Sequence, residues 1–190
     1  AVAQAQKKPR AYAEAGHWYQ LFLRSFPDSE QAPYMNFLYA ELLTGAGQHG
    51  MAAAQYERTA YDYGQHEKAA EAGYAALLAY EKHEQSLQGM DKVNWHRAGI
   101  ASALRFSEQF PGHKDALAVR TRAAQQLFAV KEFAAAIAAA RPIIDNAQAP
   151  QKLQLSAWTV TAHAEFDQAD YQRAELAYRQ VLARTVNTDK

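Results

Sequence analysis

The chain has 190 residues, 49% of them hydrophobic and 21% charged, with 20 Lys+Arg against 20 Asp+Glu. Zero formal net charge leaves no surplus of cations for phosphate contact or for an anionic membrane surface, which argues against nucleic-acid binding and electrostatic membrane anchoring. There is no cysteine, which removes disulfides, thiolate metal sites and cysteine nucleophiles, and the longest apolar runs fall far short of a membrane span. Alanine is by far the commonest residue, with Gln, Glu, Leu and Arg plentiful and Ile and Val scarce. That mix predicts an all-α chain, because strong helix formers abound and the β-branched residues a sheet would pack are few.

In chain order, residues 1–9 are expected to be a short tail. Tyr12, Ala15, Tyr19 and Phe22 then follow at steps of three and four, an aromatic, small, aromatic, apolar series on one helix face. Phe26-Pro27-Asp28-Ser29 ends that helix, and Asp28 with Gln31 has the spacing of a capping box for the next. The same face series returns as His49, Ala52, Tyr56 and Thr59, then as Trp95, Ala98, Ser102 and Phe106. It returns again as Phe133, Ala136, Ala140 and Ile143, and finally as Tyr171, Ala174, Tyr178 and Val181. The small residues at 15, 52, 98, 136 and 174 are separated by 37, 46, 38 and 38 residues. Gln85 to Lys92, with Gly89 and Asp91, reads as the extended connection that makes the second spacing long. Pro142 is expected to kink or end its helix early.

Between these faces lies a second register. The turn segments Phe26-Pro27, Tyr63-Gly64 and Phe110-Pro111 are each followed at the same offsets by Ala32, Ala69 and Ala116, by Ala40, Leu77 and Ala124, and by Leu43, Tyr80 and Leu127. The two registers predict nine helices: a lone B helix, then four pairs of an A helix and a B helix.

This pattern resembles the tetratricopeptide repeat (TPR), whose nominal period is about 34 residues. Trp158, Ala162, Ala169-Asp170-Tyr171, Ala174, Tyr178 and Val181-Leu182 fall on the family's signature positions. The likeness runs from about residue 10 to residue 184. The copies depart from it by running three or four residues long and by placing His49 where an aromatic is usual. The resemblance implies a right-handed α-solenoid of antiparallel helix pairs, a single TPR-like array over 1–190 with about four and a half repeats. An array with a B helix first and no polar cap last is expected to be a piece of a longer protein; the initial Ala, in place of Met, agrees with a processed or excised chain. Its open ends, with Tyr12, Trp18 and Tyr19 at the front and Tyr178 and Leu182 at the back, imply weak self-association.

Signatures of chemistry are missing. The seven histidines, at 17, 49, 66, 83, 96, 113 and 163, form no i, i+3 or i, i+4 pair, and no zincin, P-loop, dinucleotide or nucleophile-elbow motif occurs. His49 is read as a packing position, and His66 and His113 as helix starts. No metal, cofactor or catalytic residue is expected, and the chain is read as a non-enzyme.

The resemblance places ligands on the A helices. The groove positions it implies are Tyr34, Phe37, Glu41 and Thr44, then Glu71, Tyr74, Leu78 and Glu81, then Thr121, Gln125 and Phe128, and then Thr159, His163 and Phe166. Aromatic and apolar residues there suit a protein or peptide partner. No Lys or Arg stands at these positions, so the family's clamp for a terminal carboxylate is not expected. Repeats of this length with a Phe-Pro-Asp-Ser turn are similar to those of TPR proteins of the Gram-negative cell envelope. The reading is therefore a non-catalytic interaction scaffold, periplasmic or associated with the outer membrane. The alternative is a helical accessory region of a larger envelope enzyme or of a polysaccharide or protein export system.

Overall fold

A computed structural model describes residues 2–185, with side chains described from Arg10 onward. Among the described residues there are nine helices and no strand, as the composition and the two registers predict. They are α1 (Val2–Ser25), α2 (Ala32–Gly45), α3 (His49–Tyr61), α4 (Ala69–Glu84), α5 (Gly89–Gln109), α6 (Ala116–Ala129), α7 (Phe133–Ile144), α8 (Gln151–Asp167) and α9 (Tyr171–Thr185).

Where a single array was expected, the chain divides into two compact units, 1–102 and 103–190, with the boundary inside α5. In the first unit α1 packs on α2, α2 on α3 and α3 on α4. In the second, α6 packs on α7, α7 on α8 and α8 on α9, and α6 also touches α8.

Three local expectations need correction. The stretch expected as a tail is continuous with α1 from Val2 onward, as its Ala, Gln and Lys content favours; Ala1 lies outside the described residues. The connection expected over Gln85–Lys92 spans only residues 85–88, because α5 begins at Gly89. The long spacing is taken up by helix: α3, α7 and α9 each start three residues before their small residue, whereas α5 starts nine before Ala98. The capping box does not form. The backbone N–H of Gln31 bonds instead to Ser29 Oγ at 3.2 Å, and α2 starts later, with Pro33 in its first turn, where a missing N–H costs nothing. Pro142 behaves as its chemistry requires, since α7 ends two residues beyond it.

The Ser29 bond is one of four alike. Each turn from a B helix to the next A helix carries a side chain that accepts the backbone N–H two residues on: Ser29 from Gln31, His66 from Lys68, His113 from Asp115, and Asn146 from Gln148. Both histidines thus sit just ahead of A helices. Because His66 accepts through Nδ1, its proton is on Nε2, which donates to the Thr59 carbonyl at 2.8 Å.

Three of the four turns from A to B are equally regular, the exception being the connection from α4 to α5. Gly47, Lys131 and Ala169 have φ of 74°, 63° and 63°. Each donates its N–H to the carbonyl three residues back, and the next N–H reaches the carbonyl five residues back from itself. This Schellman arrangement satisfies the last carbonyls of α2, α6 and α8 and reverses the chain in two residues. Only the first copy uses glycine, the residue that adopts this conformation without a Cβ penalty.

The core is mostly alanine. Ala40, Ala124 and Ala162 on A helices are fully buried, as are Ala52 and Ala136 on B helices, and Ala174 retains 2% exposure. Larger buried residues are few, Phe106 and Ile143 among them. Polar ties supplement them. Asn36, also fully buried, donates to the Gln55 carbonyl at 2.7 Å and to Thr59 Oγ1 at 2.9 Å. Arg120 Nε donates to the Ala139 carbonyl at 3.0 Å. Both bonds join an A helix to the B helix nineteen residues on. In α5 the extra turns are anchored by Trp95, whose indole donates to the Tyr80 carbonyl at 2.9 Å and whose ring packs against Tyr80 and His83.

The positive φ at Lys131 and Ala169 gives the first testable outcome. Lys131→Gly and Ala169→Gly should each stabilise the chain by a few tenths to about 1 kcal/mol, since relief of the left-handed penalty exceeds the entropy glycine adds to the unfolded chain. Gly47→Ala should destabilise it by a similar amount. Urea unfolding midpoints of the three variants check this.

Candidate functional site

The groove expectation meets different fates in the two units. In the first, Phe37 is buried at 6% exposure, its ring edge-on to Tyr56 at 5.8 Å. It packs in the core rather than standing exposed on a groove, because that face of α2 turns onto α3. Glu41 is exposed, but its carboxylate accepts the Tyr56 hydroxyl at 2.6 Å. Burial, reinforced by that bond, pushes the Tyr56 phenol well above the usual tyrosine range. Thr44 spends its hydroxyl on the Ala40 carbonyl at 3.0 Å. Tyr34 and Leu78 are the half-exposed apolar side chains, at 47% and 51%, while Tyr74 is partly buried and Glu71 and Glu81 are exposed. The eight groove positions expected from Tyr34 to Glu81 therefore do not form a uniform exposed surface.

A cation missed by the groove reading lies beside these residues. Lys68 Nζ stands 5.2 Å from the Phe37 ring centre and 2.6 Å from the Glu71 carboxylate. The hydrogen bond to Glu71 raises the Lys68 ammonium above its ordinary range. Lys68 precedes α4 by one residue, so a register counted along the helices alone passes over it.

The second unit assembles its residues better. Gln125, Phe128, Thr159 and His163 line one open groove of about 350 Å3 between α6 and α8, floored by Leu155 and Val160. Phe128 lies 5.9 Å from the His163 ring and 5.6 Å from Phe133, and His163 lies 5.7 Å from Tyr178. The aromatic wall is thereby held by both the A and the B helices. Thr159 donates its hydroxyl to the Leu155 carbonyl, which leaves the groove's polar edge to Gln125, Ser156 and His163. Two residues depart from expectation. Thr121 is buried, its hydroxyl bonded to the Leu117 carbonyl, and Phe166 is exposed outside this groove, edge-on to Tyr171 at 5.4 Å.

A larger hollow, of about 480 Å3, lies between α1 and α2 and was not foreseen. Tyr12, His17, Gln20, Tyr39 and Met51 line it, and the Gln20 amide and the Tyr39 hydroxyl are hydrogen-bonded across it. The sequence signal was present as Gly16 and Gly45, which leave space on facing helices, the latter with the Tyr12 ring over it.

Among the described residues no group of three or more His, Asp or Glu could hold a metal ion, and no helix is long and apolar enough to cross a membrane. His49 is partly buried with Nδ1 unpartnered, consistent with a packing position. Comparison with known protein families and with curated proteins finds no match to this chain.

The contrast between Phe37 and Leu78 is measurable. Phe37→Ala should cost about 3–5 kcal/mol of stability, as truncation of a buried aromatic does. Leu78→Ala should stay within about 0.5 kcal/mol. Chemical denaturation of the two variants distinguishes a core residue from a surface one.

Proposed function

We propose that the chain is a non-catalytic protein-binding scaffold built as a TPR-like, right-handed array of helix pairs. The repeating turns, the alanine register and the contact of α6 with α8 support that architecture. The groove between α6 and α8 is the single observation that carries the binding reading. It is open, so it admits a chain segment. Its aromatic wall is pre-packed, so little ordering entropy is lost on binding. Its polar edge offers hydrogen-bond donors and acceptors from Gln125, Ser156 and His163. An extended or helical peptide with apolar anchors fits that chemistry, with Phe128 as the anchor contact and Gln125 and His163 reading its polar groups.

The Phe-Pro-Asp-Ser turn and the repeat length support a scaffold of the Gram-negative cell envelope, in the periplasm or at the outer membrane. Exposed Trp18 and Leu21 on α1 and Leu182 on α9 favour weak association of copies at high concentration.

The test is affinity capture from an envelope extract of the source organism, followed by quantitative binding of the captured protein. Phe128→Ala should weaken binding by about thirtyfold, the scale of a 2 kcal/mol hot spot. Gln125→Arg changes an exposed residue without removing packing, and should weaken binding by at least tenfold. A partner held equally by both variants and by the unaltered chain contradicts the groove assignment.

A further inference from the structure

Two positions of the repeat register break pattern together in α8. The residue four before the A-to-B turn is Leu43 in α2 and Leu127 in α6, each 5% exposed. In α8 it is Glu165, which is 8% exposed, and its carboxylate has no hydrogen bond or ion pair among the described residues. The residue eleven before the turn is Asn36 in α2 and Arg120 in α6, each donating to a carbonyl of the following B helix. In α8 it is Trp158, whose indole N–H is buried without a partner, although Ala177 stands at the same separation.

Both irregular residues line one cavity of about 270 Å3 between α7, α8 and α9. Ile137, Ile144 and Leu176 give it apolar walls. Arg141 and Arg173 also line it, but each is mostly exposed and has its own counter-ion, Asp145 at 4.0 Å and Asp170 at 3.4 Å. Among the described residues, the one lining charge without a partner is therefore the Glu165 carboxylate. A glutamate that is more than nine-tenths buried at a leucine position costs stability unless a cation or donor meets its carboxylate. No fold requirement explains it, since α2 and α6 build the same turn with leucine.

We propose that this cavity receives the guanidinium or ammonium of an Arg or Lys side chain from a partner protein. Glu165 neutralises the cation. Ile137 and Ile144 enclose its methylene stem, and the Trp158 N–H donates to an acceptor of the same segment. Gln125, Phe128 and His163 do not line this cavity, so the proposal stands independently of the groove between α6 and α8.

The experiment follows the indole N–H signals of the three tryptophans by NMR, with Trp158 assigned through Trp158→Phe. The probe is Nα-acetyl-arginine amide, compared with the uncharged citrulline analogue and with Nα-acetyl-glutamate amide. The expected result is a saturable shift of the Trp158 signal with the arginine probe and at least tenfold weaker binding of the citrulline analogue. Glu165→Gln should abolish the response. Glu165→Leu should abolish it while raising the unfolding midpoint, which also shows that this variant folds. The proposal is overturned if no saturable shift occurs, if Glu165→Gln responds as the unaltered chain does, or if the glutamate probe binds in place of arginine. A lowered midpoint in Glu165→Leu overturns it too, since the carboxylate would then be serving the fold.

Discussion

Close approach of helices through alanine is the constraint on which the rest of this structure depends. Ala40, Ala124 and Ala162 on one class of helix, and Ala52, Ala136 and Ala174 on the other, lie in the packed interior of their units. Alanine loses no side-chain entropy on burial and lets backbones come together, but each contact hides little apolar area. A core of this kind is held by geometry more than by large hydrophobic residues. It therefore needs turns that place each helix accurately, and it has them. The Schellman turns at Gly47, Lys131 and Ala169 share one hydrogen-bond pattern, and the opposite turns share the acceptor side chains Ser29, His66, His113 and Asn146.

Polar ties add specificity to these contacts. Asn36 links α2 to α3 through the Gln55 carbonyl and Thr59 Oγ1, and the Thr59 carbonyl accepts from His66 at the start of the next turn. Helices α2 and α3 and the turn that follows α3 are thus tied by a largely buried set of hydrogen bonds. Arg120 does comparable work in the second unit, reaching the Ala139 carbonyl and also Ser107 and Glu108. Such networks rigidify when satisfied and are costly when broken. The same register exposes its own exception at Trp158, where the donor is present and the bond is not.

The sequence revealed helix number and register because small residues recur at fixed offsets, and that regularity needs no knowledge of partners. It did not reveal which face of an A helix is free. Phe37 was placed on a binding surface, yet an A helix is covered on more than one side, and period alone does not separate those faces. The extra turns of α5 were hidden for a related reason. Gly89 and Asp91 look like loop residues, but Gly89 starts the helix with positive φ and Asp91 lies in its first turn. Gln125, Phe128, Thr159 and His163, counted from the same register, do line one groove, because that face of α6 and α8 is left open between the two helices. Glu165 escaped notice because helical surfaces are rich in glutamate, and only burial marks this one as unusual.

The central claim, a repeated helix pair closed by alanine, is tested most directly by enlarging those alanines one at a time. Urea unfolding of Ala40→Leu, Ala124→Leu and Ala162→Leu should show losses of about 1–3 kcal/mol each, the cost of overpacking a filled contact. Ala54→Leu and Ala138→Leu, at exposed positions of B helices, should stay within about 0.5 kcal/mol of the unaltered chain. Buried variants as stable as the exposed ones, or exposed variants as damaged as the buried ones, would contradict the register and the packing built on it.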